Sequence, residues 1–322
     1  MYLMNSDSHK PLAIFLMGPT ASGKTDLAIE LHRRFPVEIV SVDSSLVYRG
    51  MDIGTAKPTA EELAEAPHRL IDIRDPNEPY SAAEFCSDAM REMRRIAESG
   101  KIPLLVGGTI FYFHSLEFGL SELPAADPDT RRRIQKRIEQ EGLASAHARL
   151  KALDPVSGER IHANDSQRIE RALEIIELTG QTPTELAFAP DQKPDLPYTL
   201  IKYALWTEDR KLLNPRIIQR FDRMLEQGLV DEVRELLKSD WFDPNLPAMR
   251  MVGYRQVIEY LQGECSYEDM RERAILATGQ LAKRQMTWIR GYPGVEKIDC
   301  LRSDLSTFCI GKTSGKLSEL GI

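Results

Sequence analysis

A glycine-rich segment near the N-terminus has the residue types and spacing of a phosphate-binding loop. Residues 18–25 read GPTASGKT, which matches the pattern of glycine, any four residues, glycine, lysine and a hydroxyl residue. In such a loop the backbone N–H groups point at phosphate oxygens, the lysine adds positive charge, and the last hydroxyl can reach a Mg²⁺ ion on the phosphates. The predicted diphosphate contacts are Gly18, Thr20, Ala21, Ser22, Gly23, Lys24 and Thr25. Thr25 is also the predicted magnesium ligand.

The segments around this loop fit the same interpretation. An apolar run at 12–17 predicts a buried strand before the loop, and Leu27, Leu31 and Phe35 recur at helical spacing after it. A second apolar run at 102–106 continues into Gly-Gly-Thr at 107–109, where a P-loop ATPase or GTPase usually has an aspartate for magnesium. The sequence therefore shows no hydrolytic machinery. A small-molecule kinase stays open, because such kinases vary this position.

An aspartate follows the next predicted strand, at 37–42. In open α/β sheets ligands bind beyond the carboxyl ends of the strands, so we expect Asp43 and Lys24 to face one crevice. A carboxylate there could accept a proton or coordinate a metal. The alternative is that Asp43 only caps the turn that follows it.

Alternation of apolar runs with helical patterns predicts the fold class. The first third of the chain favours a parallel sheet flanked by helices, with one helix at 82–98. From about 122 the strand signals stop and helices are predicted at 126–140, 144–152 and 167–178. A strand at 198–206 and helices at 213–227, 254–261 and 267–290 follow. We predict a P-loop α/β core from 1–121 and 198–322, with a helical insertion domain at 122–197.

Composition is that of a folded protein without membrane spans. Of the 322 residues, 42% are hydrophobic and 28% are charged, which is usual for globular domains. The longest apolar run near the N-terminus is far shorter than a membrane helix requires, and no secretory signal is visible. The four cysteines are widely spaced, which disfavours a zinc site or a disulfide framework. A cytoplasmic location is therefore expected.

The charge pattern bears on nucleic-acid binding. A net charge of −7 does not favour contact with phosphate backbones, but basic residues cluster at 131–137 and at 283–290. Each cluster could contact RNA or could be the solvated face of a helix.

Ordered blocks of residues extend this reading. They are 18–25 (GPTASGKT), 41–44 (SVDS), 48–58 (YRGMDIGTAKP), 68–70 (HRL), 107–109 (GGT), 167–174 (QRIERALE), 252–255 (VGYR) and 280–288 (QLAKRQMTW). In these blocks, which span most of the chain, the sequence resembles the bacterial tRNA dimethylallyltransferase family, also called isopentenyl-tRNA transferases.

This resemblance implies a transferase that uses tRNA and dimethylallyl diphosphate with Mg²⁺. The dimethylallyl group would move to the N6 amine of the adenosine 3′ of the anticodon, in tRNAs that read codons beginning with U. The diphosphate would be the leaving group and phosphorus would not be attacked, which fits the missing hydrolytic aspartate. Asp43 is the candidate base for the amine proton, and the family pattern assigns Thr109 and Arg220 to the diphosphate or the reacting base.

The resemblance also implies a set of residues that contact the anticodon stem-loop. They are Asp43, Ser44, Ser45, Leu46, Thr109, Arg131, Gln167, Arg168, Ile169, Glu170, Arg171, Arg250, Gly253, Tyr254, Arg255, Lys283, Arg284, Gln285, Trp288 and Arg290.

Two other functions remain open at this stage. A P-loop kinase of a nucleoside or small metabolite would phosphorylate its substrate with ATP and would need no RNA. An RNA-binding module that uses a nucleotide only to change shape would need no general base. Nothing in the sequence requires a dimer, and a monomer is expected.

Overall fold

A six-stranded parallel sheet forms the centre of the structure. The computed structural model describes residues 10–120, 123–124, 126–187 and 196–321. The strands are β1 Leu12–Met17, β2 Val37–Ser41, β3 His68–Arg69, β4 Ile102–Gly107, β5 Thr199–Trp206 and β6 Glu296–Asp299. They lie in the order β3-β2-β4-β1-β5-β6, and every neighbouring pair is parallel. The predicted α/β class with a parallel P-loop sheet is confirmed.

The strand order brings three loops together. Strands β1 and β4 are buried along their whole length, as expected for central strands covered on both faces. Because β4 lies between β1 and β2, the loops that leave the carboxyl ends of these three strands are neighbours. The P-loop, Asp43 and the Gly-Gly-Thr segment all begin there.

Helices complete the unit that contains the sheet, which comprises Met1–Glu117 and Leu196–Ile322. Those before the second unit are α1 Lys24–Arg34, α2 Ala60–Glu65, α3 Ala82–Glu98 and α4 Ile110–Phe118. Those after it are the 3-10 helix Arg210–Leu213, α10 Asn214–Glu226, α11 Leu229–Leu236, α12 Tyr254–Leu261, α13 Tyr267–Arg290 and α14 Leu305–Glu319. No helix in the described part of the chain is both long and apolar enough to span a bilayer.

Local sequence explains the helices that were predicted and those that were missed. Helices α3, α12 and α13 begin and end at the predicted residues, and capping boxes formed by Ser81 with Glu84 and by Ser266 with Asp269 start α3 and α13. Strand β6 and helices α2, α4, α11 and α14 were not predicted, nor were the short helices Pro155–Arg160 and Pro183–Ala187. In α14 two glycines interrupt the helical pattern, and packing against α1 stabilises the helix instead.

Helices α10 to α13 form a second apolar core beside the sheet. Phe221 and Met224 of α10, Leu229 of α11 and Tyr254 of α12 pack with the segment that contains Met51. Arg220 lies in the same sequence stripe of α10 as Ile217, Phe221 and Met224, so one cation is carried into an otherwise apolar surface. This core positions that charge.

The second unit, Phe118–Asp195, is helical. Its helices are α5 Pro128–Glu141, α6 Leu143–Leu153, α7 Pro155–Arg160, α8 Ser166–Thr179 and α9 Pro183–Ala187. Ile134, Leu150, Ile169 and Leu173 form its core, while Asp154 caps α7 and accepts hydrogen bonds from the backbone and hydroxyl of Thr184. The insertion was predicted at 122–197.

Gly107 offers a test of how closely the loops after β2 and β4 are packed. A Cβ atom at position 107 would lie 1.9 Å from the carbonyl oxygen of Val42, which belongs to backbone and cannot rotate away. Replacement by alanine should lower the free energy of unfolding by roughly 3 kcal/mol or more. Gly315→Ala in α14 is the matched control, because nothing lies within 4 Å of the added atom. Urea unfolding should show the control equal to or about 1 kcal/mol more stable than wild type, and equal stability of Gly107→Ala would contradict the packing described.

Candidate active site

A cavity of about 390 Å³ lies beyond the carboxyl ends of β1, β2 and β4. Its polar end is formed by Thr20, Lys24, Asp43, Thr109 and Gln285, all from or beside the three strand loops except the last. The remaining walls come from α10, α13 and the segments at 54–55 and 250–254. The cavity therefore joins the predicted phosphate site to the apolar core of α10 to α13.

The P-loop has the backbone shape of an anion site. Gly23 has φ 83° and Ala21 has φ 63°, so both adopt the left-handed conformation that turns consecutive N–H groups inward. Helix α1 begins at Lys24 without a side-chain cap on its first N–H groups. These donors and the positive end of the helix dipole are available to a phosphate. A Cβ at Gly18 would crowd the site, because it would lie 2.6 Å from Ser22 Oγ and 3.2 Å from the Leu205 Cβ.

The surroundings of Lys24 weaken the positive charge of its ammonium group. Burial lowers the pKa of Lys24 to about 8, Asp43 opposes this shift, and Arg220 adds to it. The one hydrogen bond that Lys24 makes among the described residues is a long one, 3.4 Å from Nζ to the carbonyl oxygen of Pro19. The ammonium thus retains donors for an added anion.

Asp43 is held by the loop that follows β2. Its Oδ1 accepts hydrogen bonds from the backbone N–H of Ser45 at 2.9 Å and from the Ser45 hydroxyl. Oδ2 makes no hydrogen bond with the described residues. The turn-capping role considered from sequence is therefore real, but it occupies only one oxygen of a carboxylate that lines the cavity.

Thr109 joins the loops after β2 and β4. Its Oγ accepts the Ser44 N–H at 3.1 Å, and its own N–H donates to the carbonyl oxygen of Val42 at 3.2 Å. These bonds fix the position of Asp43, which lies between Val42 and Ser44.

Arg220 reaches the cavity from α10. Burial lowers the pKa of its guanidinium, and the charge of Asp43 opposes that shift. One guanidinium nitrogen donates to the carbonyl oxygen of Thr55 at 3.3 Å. Lys24, Asp43 and Arg220 thus influence one another electrostatically, and two cations with one carboxylate leave net positive charge for an anionic ligand.

Gln285 links helix α13 to the phosphate loop. Its Oε1 accepts the Thr20 N–H at 2.9 Å, and its Nε2 donates to the carbonyl oxygen of Gly108 at 2.9 Å. A side chain at Gly108 would displace the Gln285 amide from these bonds, because a Cβ would lie 2.5 Å from the amide nitrogen. The side chain predicted to contact RNA is therefore committed to two backbone groups of the site.

Comparisons with known proteins agree with the fold and the site described above. A family model described as IPP transferase matches residues 46–292. A "tRNA dimethylallyltransferase" of Thioalkalivibrio sulfidiphilus is 58% identical over 91% of this chain and 92% of its own length. The chain belongs to the IPP transferase family. The match runs through Gly54, Thr109, Arg220 and Gln285, and the P-loop precedes the residues of the family model.

Solved structures of this family have the same fold. The crystal structure of a tRNA isopentenylpyrophosphate transferase from Bacillus halodurans is 36% identical, with a TM-score of 0.69 over 96% of this chain and 98% of that one. A structure described as a eukaryotic dimethylallyltransferase acting on tRNA is 26% identical, with a TM-score of 0.76 over 96% of this chain and 80% of that one.

The remaining residues that were predicted to contact RNA lie partly inside and partly outside the cavity. Ser44, Ser45, Arg250, Gly253 and Tyr254 line the cavity with Asp43 and Thr109. Tyr254 is fully buried and its hydroxyl donates to Glu232 at 2.6 Å, so only the edge of its ring is available to a ligand.

Other predicted contacts lie outside the cavity. They are Leu46, Arg255, Lys283, Arg284, Trp288 and Arg290. Lys283 and Arg284 are exposed on α13 and form no ion pair with the described residues, whereas the Arg290 guanidinium lies over the Trp206 ring at 5.5 Å. Trp288 is 44% exposed beside the equally exposed ring of Phe111.

The second unit changes the interpretation of its predicted contacts. Ile169 is fully buried in the helical core, so its side chain offers no surface to RNA in this conformation, and its contact stays a prediction. Arg131 and Arg171 both bind the buried carboxylate of Glu174. Arg131 thereby holds α5 to α8, and Arg171 also donates to the carbonyl oxygen of Pro124 ahead of α5, which leaves only part of each guanidinium for a ligand.

The other predicted contacts of α8 are accessible to differing degrees. Gln167 is exposed, Arg168 pairs with Asp165 at 2.8 Å, and Glu170 accepts a hydrogen bond from Gln135.

Residues that complete the site were not predicted from sequence. Thr55 and Gly54 belong to the 48–58 block, which carried no assigned role, and Ile217, Phe221 and Met224 looked like ordinary core residues. Glu232 lies 178 residues from Gly54, so no local pattern connects them. Only their shared position in the fold reveals the connection.

The double hydrogen bond of Gln285 provides a stability test. Gln285→Ala removes both bonds and leaves the Thr20 N–H and Gly108 carbonyl without these partners, so the free energy of unfolding should fall by about 1–2 kcal/mol. Gln280→Ala is the control, because Gln280 is exposed on the same helix and should change stability by less than about 0.5 kcal/mol. Denaturant unfolding measures both, and equal values for the two variants would show that the amide does not anchor the loops.

Proposed function

We propose that this protein transfers the dimethylallyl group of dimethylallyl diphosphate to the N6 amine of the adenosine 3′ of the anticodon in tRNAs that read codons beginning with U. The observation that carries the proposal is the cavity in which the P-loop, the Asp43 carboxylate and the Arg220 guanidinium converge. Membership of the IPP transferase family and a 58% identical relative named tRNA dimethylallyltransferase support the same reaction.

Departure of the diphosphate is the first requirement of this chemistry. As the bond from the allylic carbon to the diphosphate oxygen breaks, negative charge grows on the leaving group. The N–H groups of the P-loop, Lys24 and Arg220 are placed to stabilise that charge in a partly dehydrated cavity. No group is needed to attack phosphorus, consistent with the glycines that follow β4.

Attack by the adenine amine is the second requirement. The N6 lone pair is shared with the ring, so the amine must lose a proton as the bond to carbon forms. Oδ2 of Asp43 is the acceptor for this proton, because Oδ1 is already held by Ser45. Thr109 keeps the carboxylate in place through the backbone of Ser44 and Val42.

The apolar part of the cavity suits the five-carbon group. Ile217, Phe221, Met224, Met251 and Leu281 line it beyond the charged end. A branched hydrocarbon gains free energy when these walls exclude water from it. The same walls protect the electrophilic carbon from hydrolysis.

Magnesium is the cofactor proposed for the diphosphate. The described residues contain no group of three His, Cys, Asp or Glu side chains able to hold a metal. This fits an ion bound mainly by substrate phosphate oxygens, with the Thr25 hydroxyl as the protein ligand, because Mg²⁺ in phosphate sites usually keeps few protein ligands. When bound, the ion would neutralise charge on the leaving diphosphate.

RNA has a route to the cavity along helix α13. One face of this helix lines the cavity with Thr278, Leu281 and Gln285, and another carries the exposed Lys283 and Arg284. Phosphate contacts of these cations would bring the anticodon loop to the opening, and the adenosine would leave its stack to enter. The family neighbour described as acting on tRNA supports this proposal.

Kinase activity is not favoured, because the relatives and structural neighbours are transferases of an isoprenoid group. The proposed substrates and the four free cysteines support a cytoplasmic location. A monomer stays our prediction.

Asp43→Asn should separate catalysis from ligand binding. The amide cannot accept the amine proton, so prenyl transfer should fall on the order of 10²- to 10⁴-fold. Pyrophosphate affinity should not fall, because a negative charge beside the phosphate site has been removed. Mass spectrometry of nucleosides from tRNA measures transfer, and calorimetry measures affinity. Asp240→Asn, the same change at an exposed position outside the cavity, is the control. Full transfer activity of Asp43→Asn would show that Asp43 is not the base, whereas tRNA binding without any product from wild type would favour the RNA-binding module considered above.

The pKa of Lys24 predicts a pH dependence of pyrophosphate binding. Lys24 is charged below its pKa of about 8 and loses its charge as the pH rises through that value. Affinity should therefore fall by up to about tenfold between about pH 7 and about pH 9. In Lys24→Arg the guanidinium stays charged over this pH range, so the fall in pyrophosphate affinity should be smaller. The ligand titrates identically in both experiments, so a difference between the two profiles comes from residue 24. Parallel pH profiles of the two proteins in calorimetry would show that Lys24 does not contribute this charge.

A further inference from the structure

We infer that Glu232 is a positioning residue that holds Arg220 in its place in the cavity. Glu232 lies on α11, does not line the cavity, and matches no motif recognised in the sequence. Its action runs through the backbone of residues 52–55. The inference rests on the proposed function only in assigning Arg220 to the diphosphate.

The Glu232 carboxylate is saturated with hydrogen bonds from one short loop and one tyrosine. Oε2 accepts the backbone N–H groups of Asp52 at 2.9 Å and Ile53 at 2.7 Å. Oε1 accepts the N–H of Gly54 at 3.1 Å and the hydroxyl of Tyr254 at 2.6 Å. Two carboxylate oxygens offer about four lone-pair directions, so these donors use the full capacity of the group.

Three consecutive N–H groups that point at one carboxylate fix the orientation of the peptide planes that follow them. Gly54 lies close against the Tyr254 ring of α12, since a Cβ at position 54 would lie only 2.5 Å from that ring. The loop therefore has no room to move toward α12. The Thr55 hydroxyl donates to the carbonyl oxygen of Met51 at 2.7 Å and closes the turn. The Thr55 carbonyl oxygen is therefore held in one direction, toward α10.

That carbonyl oxygen is the one hydrogen-bond partner of Arg220 among the described residues. A guanidinium has five N–H donors, and the bond to Thr55 directs the rest of the group. The charge of Arg220 lowers the pKa of Lys24, so the two cations repel each other. Without the Thr55 carbonyl, Arg220 would lose its one hydrogen bond to the described residues. Glu232 thus acts on Arg220 through the backbone of residues 52–55 and does not line the cavity.

A double-mutant cycle between positions 232 and 220 tests this role. Glu232→Gln puts an amide nitrogen against backbone N–H donors, so part of the bonding is lost while size is kept. In the otherwise wild-type protein, pyrophosphate affinity in calorimetry and kcat/KM of prenyl transfer should each fall on the order of tenfold. In the Arg220→Ala background the same change should alter neither by more than about twofold, because the group that Glu232 positions is absent.

A purely structural role makes a different prediction. Glu232→Gln would then cause the same fold loss in both backgrounds, or no loss in either, and each of these results would overturn the inference. Glu235→Gln is the matched control, because Glu235 is on the same helix and is exposed in an ion pair with Lys238. It should have no effect in either background.

Two further measurements keep the test decisive. Thermal unfolding of all variants shows whether they are folded, and Glu232→Asp, which keeps the charge and shortens the side chain, replaces Glu232→Gln in the cycle if that variant does not fold. Pyrophosphate binding does not require prenyl transfer. Absence of prenyl-adenosine from wild type would therefore overturn the proposed reaction, while the binding cycle would still decide the role of Glu232.

Discussion

Two cations held around one carboxylate are the electrostatic centre of this structure. Burial of Lys24 and Arg220 costs free energy, and the lowered pKa values of both groups report that cost. Asp43 offsets only part of it. The site is therefore stabilised by an added anion, and the surrounding structure must hold like charges together until the anion binds. Hydrogen bonds to backbone carbonyl oxygens of Pro19 and Thr55 meet that requirement on either side.

The sheet and the helical core of α10 to α13 contribute different groups to this site. Insertion of β4 between β1 and β2 places three loops side by side, and each loop contributes one part of the polar end. The helices α10 to α13 bring the second cation and the apolar wall. Hydrogen bonds from side chains to backbone groups join these elements. The Gln285 side chain of α13 bonds to the P-loop, and the Arg220 side chain of α10 bonds to the segment at 54–55.

Local patterns in the sequence predicted the components whose chemistry lies in neighbouring residues. The P-loop needs only eight consecutive positions, and helix α13 needs only its capping box and its apolar stripe, so both were predicted with correct bounds. Arg220 and Thr109 came from the family resemblance, because nothing in their local sequence distinguishes them from surface residues. Glu232 came from neither, since its partners are backbone N–H groups, which every residue type except proline carries. Helix α14 was missed because its stability comes from contacts with α1 rather than from helix propensity.

The contact between Gln285 and Gly108 has a consequence for how such a sequence can diverge. A side chain at 108 would need a shorter residue at 285, but a shorter residue at 285 would leave the N–H of Thr20 without its acceptor. Position 108 in the loop after β4 and position 285 in a helix near the end of the chain are therefore constrained jointly. The P-loop enters this constraint through the backbone N–H of Thr20, which lies 265 residues from Gln285 in the sequence. Accepted substitutions at positions 108 and 285 would therefore have to arise together, and a single change at either position would pass through a destabilised protein.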